Sequence, residues 1–228
     1  MPPVRSRGVS RRAFVKAAVA IGGASALAAC QSREAPDLPT GLDDPSSLPD
    51  RQHAWNDVLA TDDHGNDVAP RHRILLLLDL ADDGPPSASD RERVTAALDG
   101  LERAYPRSNE GLLATVSYSP AYFDRFDEPL PDSVDLPAPN ALAPFENPDV
   151  DTPDAVVHLA SDYGSVVLAA EEALRGNRET LNGVDVTGLD DVVTVADRRT
   201  GFVGAGLPDD NQDVRGIPDG DHVPEDAP

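Results

Sequence analysis

The strongest hydrophobic signal in the chain is an unbroken run of aliphatic residues at positions 74–78, preceded by Arg73 and followed by Asp79. A strand with one solvent-exposed face would alternate apolar and polar residues, so a continuous run predicts a strand that is buried on both faces. The run is much shorter than the about 20 apolar residues that span a bilayer. We therefore expect other parts of the chain to cover both faces of this strand.

Two helices are predicted after this strand. The first has apolar residues at helical spacing at positions 94, 97, 98, 101 and 104. Ser89 is its expected N-cap, with Glu92 completing a capping box, and Pro106 ends it. The second helix is predicted over residues 162–175, with Gly176 as the C-terminal stop.

Three more strands are predicted at residues 112–118, 155–160 and 192–196, which are rich in apolar and β-forming residues. With the first strand and the two helices they give the order β-α-β-β-α-β, which is that of the split-βαβ, ferredoxin-like fold. The predicted fold class is therefore α+β, an antiparallel sheet with both helices on one face. The other face of the sheet then requires a partner sheet or another domain.

Residues 1–30 carry the features of an export signal. Arg11 and Arg12 precede an apolar residue and a lysine, which resembles the twin-arginine motif that directs folded cargo to export. An Ala- and Gly-rich run ends in two alanines and Cys30, as in a lipobox, so Cys30 is expected to be the lipidated first residue of the mature protein. We expect export by the twin-arginine route and anchoring to the membrane at the cell surface. An ordinary signal peptide with an incidental cysteine is the alternative.

The rest of the chain divides by composition. Residues 31–70 are rich in Pro, Asp, Ser and Gly and predict a disordered linker, and residues 71–200 hold the predicted ferredoxin-like domain. Within that domain, the proline-rich residues 127–153 predict a long loop of the kind that is functional or disordered. Residues 201–228 predict an irregular acidic tail, which we interpret as the start of a missing second half.

The chain is strongly acidic, with 41 Asp and Glu against 19 Lys and Arg and a net charge of −22. Few lysines, many aspartates and few aromatic residues indicate a halophilic protein, in which concentrated salt screens self-repulsion. A partly disordered acidic protein is the alternative. Nucleic acid is not an expected partner, because the sequence has no basic patch to neutralise phosphates.

The segments predicted to be ordered resemble the N-terminal half of dye-decolorizing (DyP-type) haem peroxidases and their export-dependent iron-uptake relatives. The similar pieces are the strand at residues 72–80 with its following helix, residues 112–124, and residues 154–162 with the helix after them. They cover about residues 70–206 in order and spacing. Tyr118 and Ser119 stand where the turn of that family has glycine.

The resemblance implies one half of a dimeric α+β barrel arrangement, in which two ferredoxin-like halves pack sheet on sheet and the second half holds haem. This chain supplies the first half, so the haem-ligating His and the distal Arg of the family lie outside it. Haem b is thus expected if the second half is present, and otherwise no cofactor.

The acidic Gly-x-x-Asp-Gly motif of the family can be placed on residues 216–220. That placement makes Asp219 the candidate proton shuttle for peroxide cleavage, although the same residues form an ordinary turn sequence.

The five histidines do not predict a metal site, because none has a paired spacing such as His-x-x-x-His. His158 lies in the middle of a predicted strand, facing the same way as Val156 and Ala160, where we expect a core or interface histidine. Trp55, the only tryptophan, is expected to pack on the domain, with a ligand rim as the alternative.

Three functional hypotheses follow, and whether the chain is an enzyme stays open. The first is an exported, lipid-anchored relative of DyP-type peroxidases that lacks the haem-binding half and is inactive alone. The second is a non-enzymatic cell-surface binding or interaction module, whose sheet pairs with a second sheet-bearing domain or a second copy. The third is a haem-dependent peroxidase that a separate chain completes.

Overall fold

The computed structural model describes residues 37–48, 57–63, 65–131, 133–137 and 140–203, and those from Leu38 onward belong to one compact unit. No helix in these ranges is long and apolar enough to cross a bilayer. A short 3-10 helix lies at Pro45–Ser47. The strands and α-helices in chain order are β1 (Ala60–Thr61), β2 (Asp67–Val68), β3 (His72–Leu80), α1 (Ala88–Ala104), β4 (Leu113–Tyr118), α2 (Pro120–Phe123), β5 (Ala155–Ser161), α3 (Gly164–Leu174), β6 (Thr180–Leu181), β7 (Val184–Asp185) and β8 (Val193–Phe202).

The long strands form one four-stranded sheet in the order β4-β5-β3-β8. Every neighbouring pair in it is antiparallel. Counted along the chain, these strands lie in the order second, third, first, fourth, which is the arrangement of the ferredoxin-like fold. The predicted α+β class is confirmed, and the aliphatic run lies in β3, a central strand.

The two faces of the sheet have different surroundings. Ile74, Leu76 and Leu78 belong to the main hydrophobic core together with buried residues of α1 and α3, and we call this side the helix face. The neighbouring residues Leu75 and Leu77 point to the opposite side, which we call the second face. Leu77 is only 6% exposed although it lies outside that core. Burial on both faces was therefore predicted correctly for the middle of β3.

Helix α1 begins two residues earlier than predicted. Ser87 is the N-cap, and its Oγ accepts a hydrogen bond from the backbone N–H of Asp90 at 3.2 Å, while an oxygen of Asp90 accepts from the N–H of Ser87 at 2.7 Å. The prediction of Ser89 and Glu92 as the capping box was wrong. Both pairs have the required three-residue spacing, but Ser89 lies inside the first turn, where its backbone is already helical.

Strand β8 runs beyond the predicted end at residue 196 and continues to Phe202. It pairs with β3 along its whole length, with one β-bulge at Ala196, where the partners of Leu77 and Leu78 are Asp197 and Val195. Backbone pairing to a buried strand sustains this edge strand, so it needs no apolar alternation of its own. The first residues of the predicted irregular tail are therefore strand.

A short hairpin after α3, made of β6 and β7, was not predicted. Its two-residue turn is Asn182 and Gly183, which have φ values of 46° and 80°. Positive φ at both central positions is the requirement of a type I′ turn, for which Asn-Gly is the preferred sequence. The hairpin contributes Leu181, which is fully buried, to the core.

The described parts of the segment predicted as a disordered linker contact the domain. The side-chain N–H groups of Asn182 lie 3.1 Å from the carbonyl oxygen of Leu38 and 3.0 Å from that of Pro39. Asn109, which is buried, donates from Nδ2 to the carbonyl of Val68 at 2.7 Å. Composition did not reveal these contacts, because amide side chains of the domain bind the backbone of the segment, and Leu38 is the residue of the segment that packs against the core.

Candidate functional site

A cavity of about 470 Å³ lies between the helix face of the sheet, α1 and α2. Its floor consists of aliphatic residues from all four long strands: Leu78, Leu80, Val116, Ala155, Val157 and Val193. Its walls are formed mainly by apolar and aromatic residues: Pro86, Val94, Thr95, Leu98, Tyr118, Tyr122, Phe123, Leu189 and Val192. The volume falls in the range of about 300–1,000 Å³ that is usual for small-molecule sites.

The cavity exists because α1 packs closely on the sheet only along its C-terminal half. Ala97, Leu101 and Ala104 are buried in the core, whereas Val94 and Leu98 are only half-buried. The N-terminal part of the helix thus leaves uncovered floor beneath it. Apolar floor without a helix above it is the feature that makes this place a candidate binding site.

A buried ion pair forms one side of the cavity. Asp154 is 4% exposed and accepts hydrogen bonds from Arg125 Nε at 2.6 Å and Nη2 at 2.7 Å. It also accepts from the backbone N–H of Leu80 at 2.7 Å. Arg125 donates further to the carbonyl of Asp82 at 2.7 Å. Both oxygens of the Asp154 carboxylate therefore have hydrogen-bond donors, and we assign Asp154 and Arg125 a structural role that joins the end of β3 to the start of β5.

Aromatic residues form another wall. The ring centroids of Tyr118 and Tyr122 are 4.4 Å apart, and Tyr122 contacts Phe123 and Phe126 edge-on at 5.2 and 5.4 Å. Burial raises the pKa of Tyr118, and the neighbouring Tyr122 raises it further. Tyr118 is therefore a neutral phenol near pH 7, and the two tyrosines give the cavity hydroxyl groups.

The remaining charged residues that line the cavity are engaged in holding α1. Asp90 serves the capping box with Ser87, and the hydrogen bonds from Ser87 lower the pKa of Asp90. Arg91 donates from Nη1 to the carbonyl of Pro86 at 2.7 Å. With Asp154 paired to Arg125, each charged group of the lining has a protein partner.

A second buried carboxylate lies away from this cavity. Glu171 of α3 is 4% exposed and accepts from Arg198 Nε at 2.6 and 2.8 Å and from Arg175 Nε at 3.0 Å. Burial by itself raises the pKa of Glu171, but the hydrogen bonds and charges of Arg198 and Arg175 outweigh it and the net shift is downward. The cluster ties α3 to the edge strand β8.

Most site residues predicted from the sequence fall outside the described ranges: Arg11, Arg12, Cys30 and Asp219, together with Trp55 and three of the histidines, His53, His64 and His222. Export, lipidation and the proton-shuttle role therefore stay predictions.

His158 lies in the middle of β5, half-buried on the second face, opposite Leu75 of β3. Burial lowers the pKa of His158, and the positive charge of Arg73 on the same face lowers it further, so the imidazole is neutral near pH 7. The Nε of Arg73 is buried without a hydrogen bond to any described residue. On the second face, Arg73 and His158 are thus polar neighbours of the aliphatic residues Leu75 and Leu77.

The described residues do not fit a haem or metal site. Neither His72 nor His158 lines the 470 Å³ cavity or the two smaller ones of about 250 and 310 Å³. Within the same ranges no three His, Cys, Asp or Glu side chains converge as metal ligands would. No chemical step through haem is derived from this part of the chain.

The ion pairs of Asp154 and Glu171 are the features that sequence reasoning missed. Arg125 and Asp154 are separated by 29 residues, and Glu171 and Arg198 by 27. No local spacing connects such distant partners. By contrast, the Asn182–Gly183 pair is a local turn signal that could have identified the β6–β7 hairpin.

Comparison with solved structures gives distant similarities to DyP-type peroxidases. The enzyme from Cellulomonas bogoriensis is 18% identical, with 65% of this chain and 43% of that chain covered and a TM-score of 0.42. A dye-decolorizing protein from V. cholerae is 14% identical over 64% and 43%, with a TM-score of 0.40. DyPB from Rhodococcus jostii RHA1 is 15% identical over 64% and 42%, with a TM-score of 0.36. The chain thus spans about two fifths of the length of these proteins.

None of the curated proteins searched matches this chain. A family model does match, over residues 70–228, and its description is a family of unknown function, DUF7405. The match begins just before β3 and includes the whole four-stranded sheet, both long helices and the cavity. The chain belongs to the DUF7405 family.

Proposed function

We propose that this chain is an exported, lipid-anchored relative of DyP-type haem peroxidases, and that residues 70–203 act as an interaction module and do not by themselves bind haem or act as an enzyme. The observation that carries the proposal is the character of the second face of the sheet. Helices α1 and α3 both pack on the helix face, and no helix among the described residues packs on the second face.

The second face has the composition of a layer that packs against another layer. Leu77 is buried, and Leu75 and Val156 are half-buried beside it. A row of aliphatic side chains on the two central strands is suited to contact an apolar surface.

The margin of this face is polar. Arg199 of β8 pairs with Asp151 and with Asp197, the latter at 3.1 Å, and all three side chains are about half exposed. An apolar centre with a charged, exposed rim is the usual anatomy of a protein interface. The occupant we propose is a second copy of this chain, packed sheet on sheet.

The experiment compares two leucine-to-glutamate variants by light scattering coupled to size exclusion in about 2 M KCl. We expect a dimer for the wild type, a monomer with unchanged circular dichroism for Leu75→Glu, and a dimer for Leu168→Glu. Leu168 is an exposed residue on α3, so its variant controls for the added charge. A monomeric wild type would falsify the pairing.

Absorption spectroscopy tests whether this chain binds haem by itself. The purified chain, supplied with haem, is expected to show no stoichiometric Soret band and no peroxide consumption above free haem. A stoichiometric Soret band with turnover contradicts the proposal. If that band appears only after a separately encoded haem half is added, the function is that of a haem-dependent peroxidase that a separate chain completes.

Cell fractionation tests export and anchoring. We expect the wild type in the membrane fraction at the cell surface and Cys30→Ser in the medium, because the variant has no site for an acyl chain. The double variant Arg11→Lys, Arg12→Lys is expected to stay inside the cell. A Cys30→Ser protein that remains with the membrane contradicts the lipid anchor.

A further inference from the structure

The cavity between α1, α2 and the helix face has the properties of a ligand site that neither the family nor the proposed function explains. Its floor is aliphatic on four strands and its volume is about 470 Å³. Apolar surface of this extent favours a ligand with a hydrocarbon body, since burying such a body removes apolar area from water on both sides.

The charges of the lining select against a charged ligand. Asp154 is paired with Arg125, Asp90 is bonded to Ser87, and Arg91 is bonded to the carbonyl of Pro86. A carboxylate or ammonium group that entered the cavity would lose its hydration without gaining a free partner. The net charge of −22 further opposes anions.

The tyrosines supply the polar contact that remains. The hydroxyl groups of Tyr118 and Tyr122 make no hydrogen bond to any residue in the described ranges, while their rings form the aromatic wall. A neutral phenol can donate one hydrogen bond and accept another. It therefore suits a ligand that carries a single hydroxyl or carbonyl oxygen.

We propose that this cavity binds an uncharged molecule with a hydrocarbon body and one hydroxyl or carbonyl oxygen, oriented by the hydroxyl groups of Tyr118 and Tyr122. The inference does not depend on the proposed function, because the second face of the sheet takes no part in it.

Fluorescence titration with Nile red, a neutral dye, tests the site, with 1-decanol and decanoate as competitors of equal chain length. We expect saturable binding of one dye per chain and displacement by decanol at least tenfold more effectively than by decanoate at about pH 7.5. Equal displacement by both competitors, or no saturable binding, overturns the proposal.

Two sets of variants locate the binding. Thr95 lines the cavity from an exposed position on α1, so Thr95→Trp is expected to fill the cavity and weaken dye binding at least tenfold. Glu92→Trp, at an exposed position on the same helix outside the lining, is the control and is expected to bind normally. Unchanged dye binding in Thr95→Trp, with its secondary structure intact by circular dichroism, overturns the proposal.

The Tyr118→Phe, Tyr122→Phe double variant removes only the hydroxyl groups. We expect it to weaken the binding of decanol severalfold and to leave unchanged the binding of naphthalene, a hydrocarbon competitor without an oxygen atom. Equal loss of both competitors contradicts the orienting role.

The turn at residues 142–145 is the competing occupant, because it presents Leu142 and Phe145, which are 95% and 89% exposed, and its loop leads back to Asp154 beside the cavity. If the wild type binds no dye and the Leu142→Ser, Phe145→Ser variant does, the cavity belongs to that turn and the ligand proposal is wrong.

Discussion

Glu171 shows how one residue can hold two elements together. A carboxylate buried in a core is destabilising unless it is paired, and here Arg175 from the same helix and Arg198 from β8 both donate to it. The two guanidinium groups remain partly exposed, so only one charge of the cluster is fully removed from water. The arrangement makes Glu171 more sensitive to replacement than either arginine.

Replacing Glu171 by Gln is expected to lower the free energy of unfolding by about 1–3 kcal/mol, because the amide keeps the shape but leaves two cations without their counter-charge. Urea unfolding at about pH 7 measures the change. Glu179→Gln, at an exposed position, is the control and is expected to alter stability by less than about 0.5 kcal/mol.

The pH dependence of stability provides a second test of the same residue. The pKa of Glu171 is lowered from its usual 4.5 in the folded state, so the unfolded chain takes up the proton first as the pH falls. The stabilisation is therefore complete above about pH 4.5 and is lost as the pH falls further. The wild type is expected to lose more stability than Glu171→Gln between about pH 5 and 3. Parallel curves for the two proteins would show that the carboxylate is not held ionised.

Gly176 adopts φ of +73°, and a Cβ there would lie 2.4 Å from Oδ1 of Asp190. Gly176→Ala is expected to destabilise the protein by about 1–2 kcal/mol through left-handed strain and this contact. Gly84→Ala is the control, because no atom lies within 4 Å of its Cβ position and its φ is not positive. Equal thermal unfolding midpoints for the two variants would contradict the assignment of Gly176 as the stop of α3.

At the scale of elements, the position of the α1 N-cap gives a direct test of the structure against the sequence pattern. Ser87→Ala is expected to destabilise the protein by about 1 kcal/mol because the N–H of Asp90 loses its acceptor. Ser89→Ala, inside the first turn, is expected to change stability by less than about 0.5 kcal/mol. Chemical denaturation of both variants separates the two capping schemes, and the reverse order would restore the pattern-based prediction.

Elements with a strong local pattern could be predicted, and elements defined by distant pairing could not. The aliphatic run of β3 and the helical spacing of α1 and α3 each carry their signal within a few residues, and the order of these elements then defines the ferredoxin-like fold. The second half of β8 has no such signal, because its residues are polar and its structure depends on hydrogen bonds to β3. The cavity was not predictable for a related reason, since it arises because only the C-terminal half of α1 is buried against the sheet.

At the scale of the whole molecule, the net charge of −22 predicts a stability that depends on salt. Raising KCl from about 0.1 to 2 M shortens the screening length from about 10 Å to less than 3 Å, so self-repulsion weakens in the compact state. The midpoint of thermal unfolding is expected to rise by several degrees. A sulfate salt at the same ionic strength is the comparison. If screening alone is responsible, the midpoint rises equally in KCl and in the sulfate salt. A midpoint that falls or does not move in KCl contradicts the halophilic interpretation.

The β-bulge at Ala196 has a consequence for comparing members of the DUF7405 family. Before it, Val193 and Val195 face the helices, and after it Arg198 does so, because the additional residue resets the odd–even alternation of the strand. A relative without the bulge would have one residue fewer at the position of Ala196. Its strand could still direct an arginine to the carboxylate that corresponds to Glu171. A single-residue gap at position 196 in an alignment therefore preserves the buried charge pair, whereas an ungapped alignment would match Arg198 to a residue on the wrong side of the sheet.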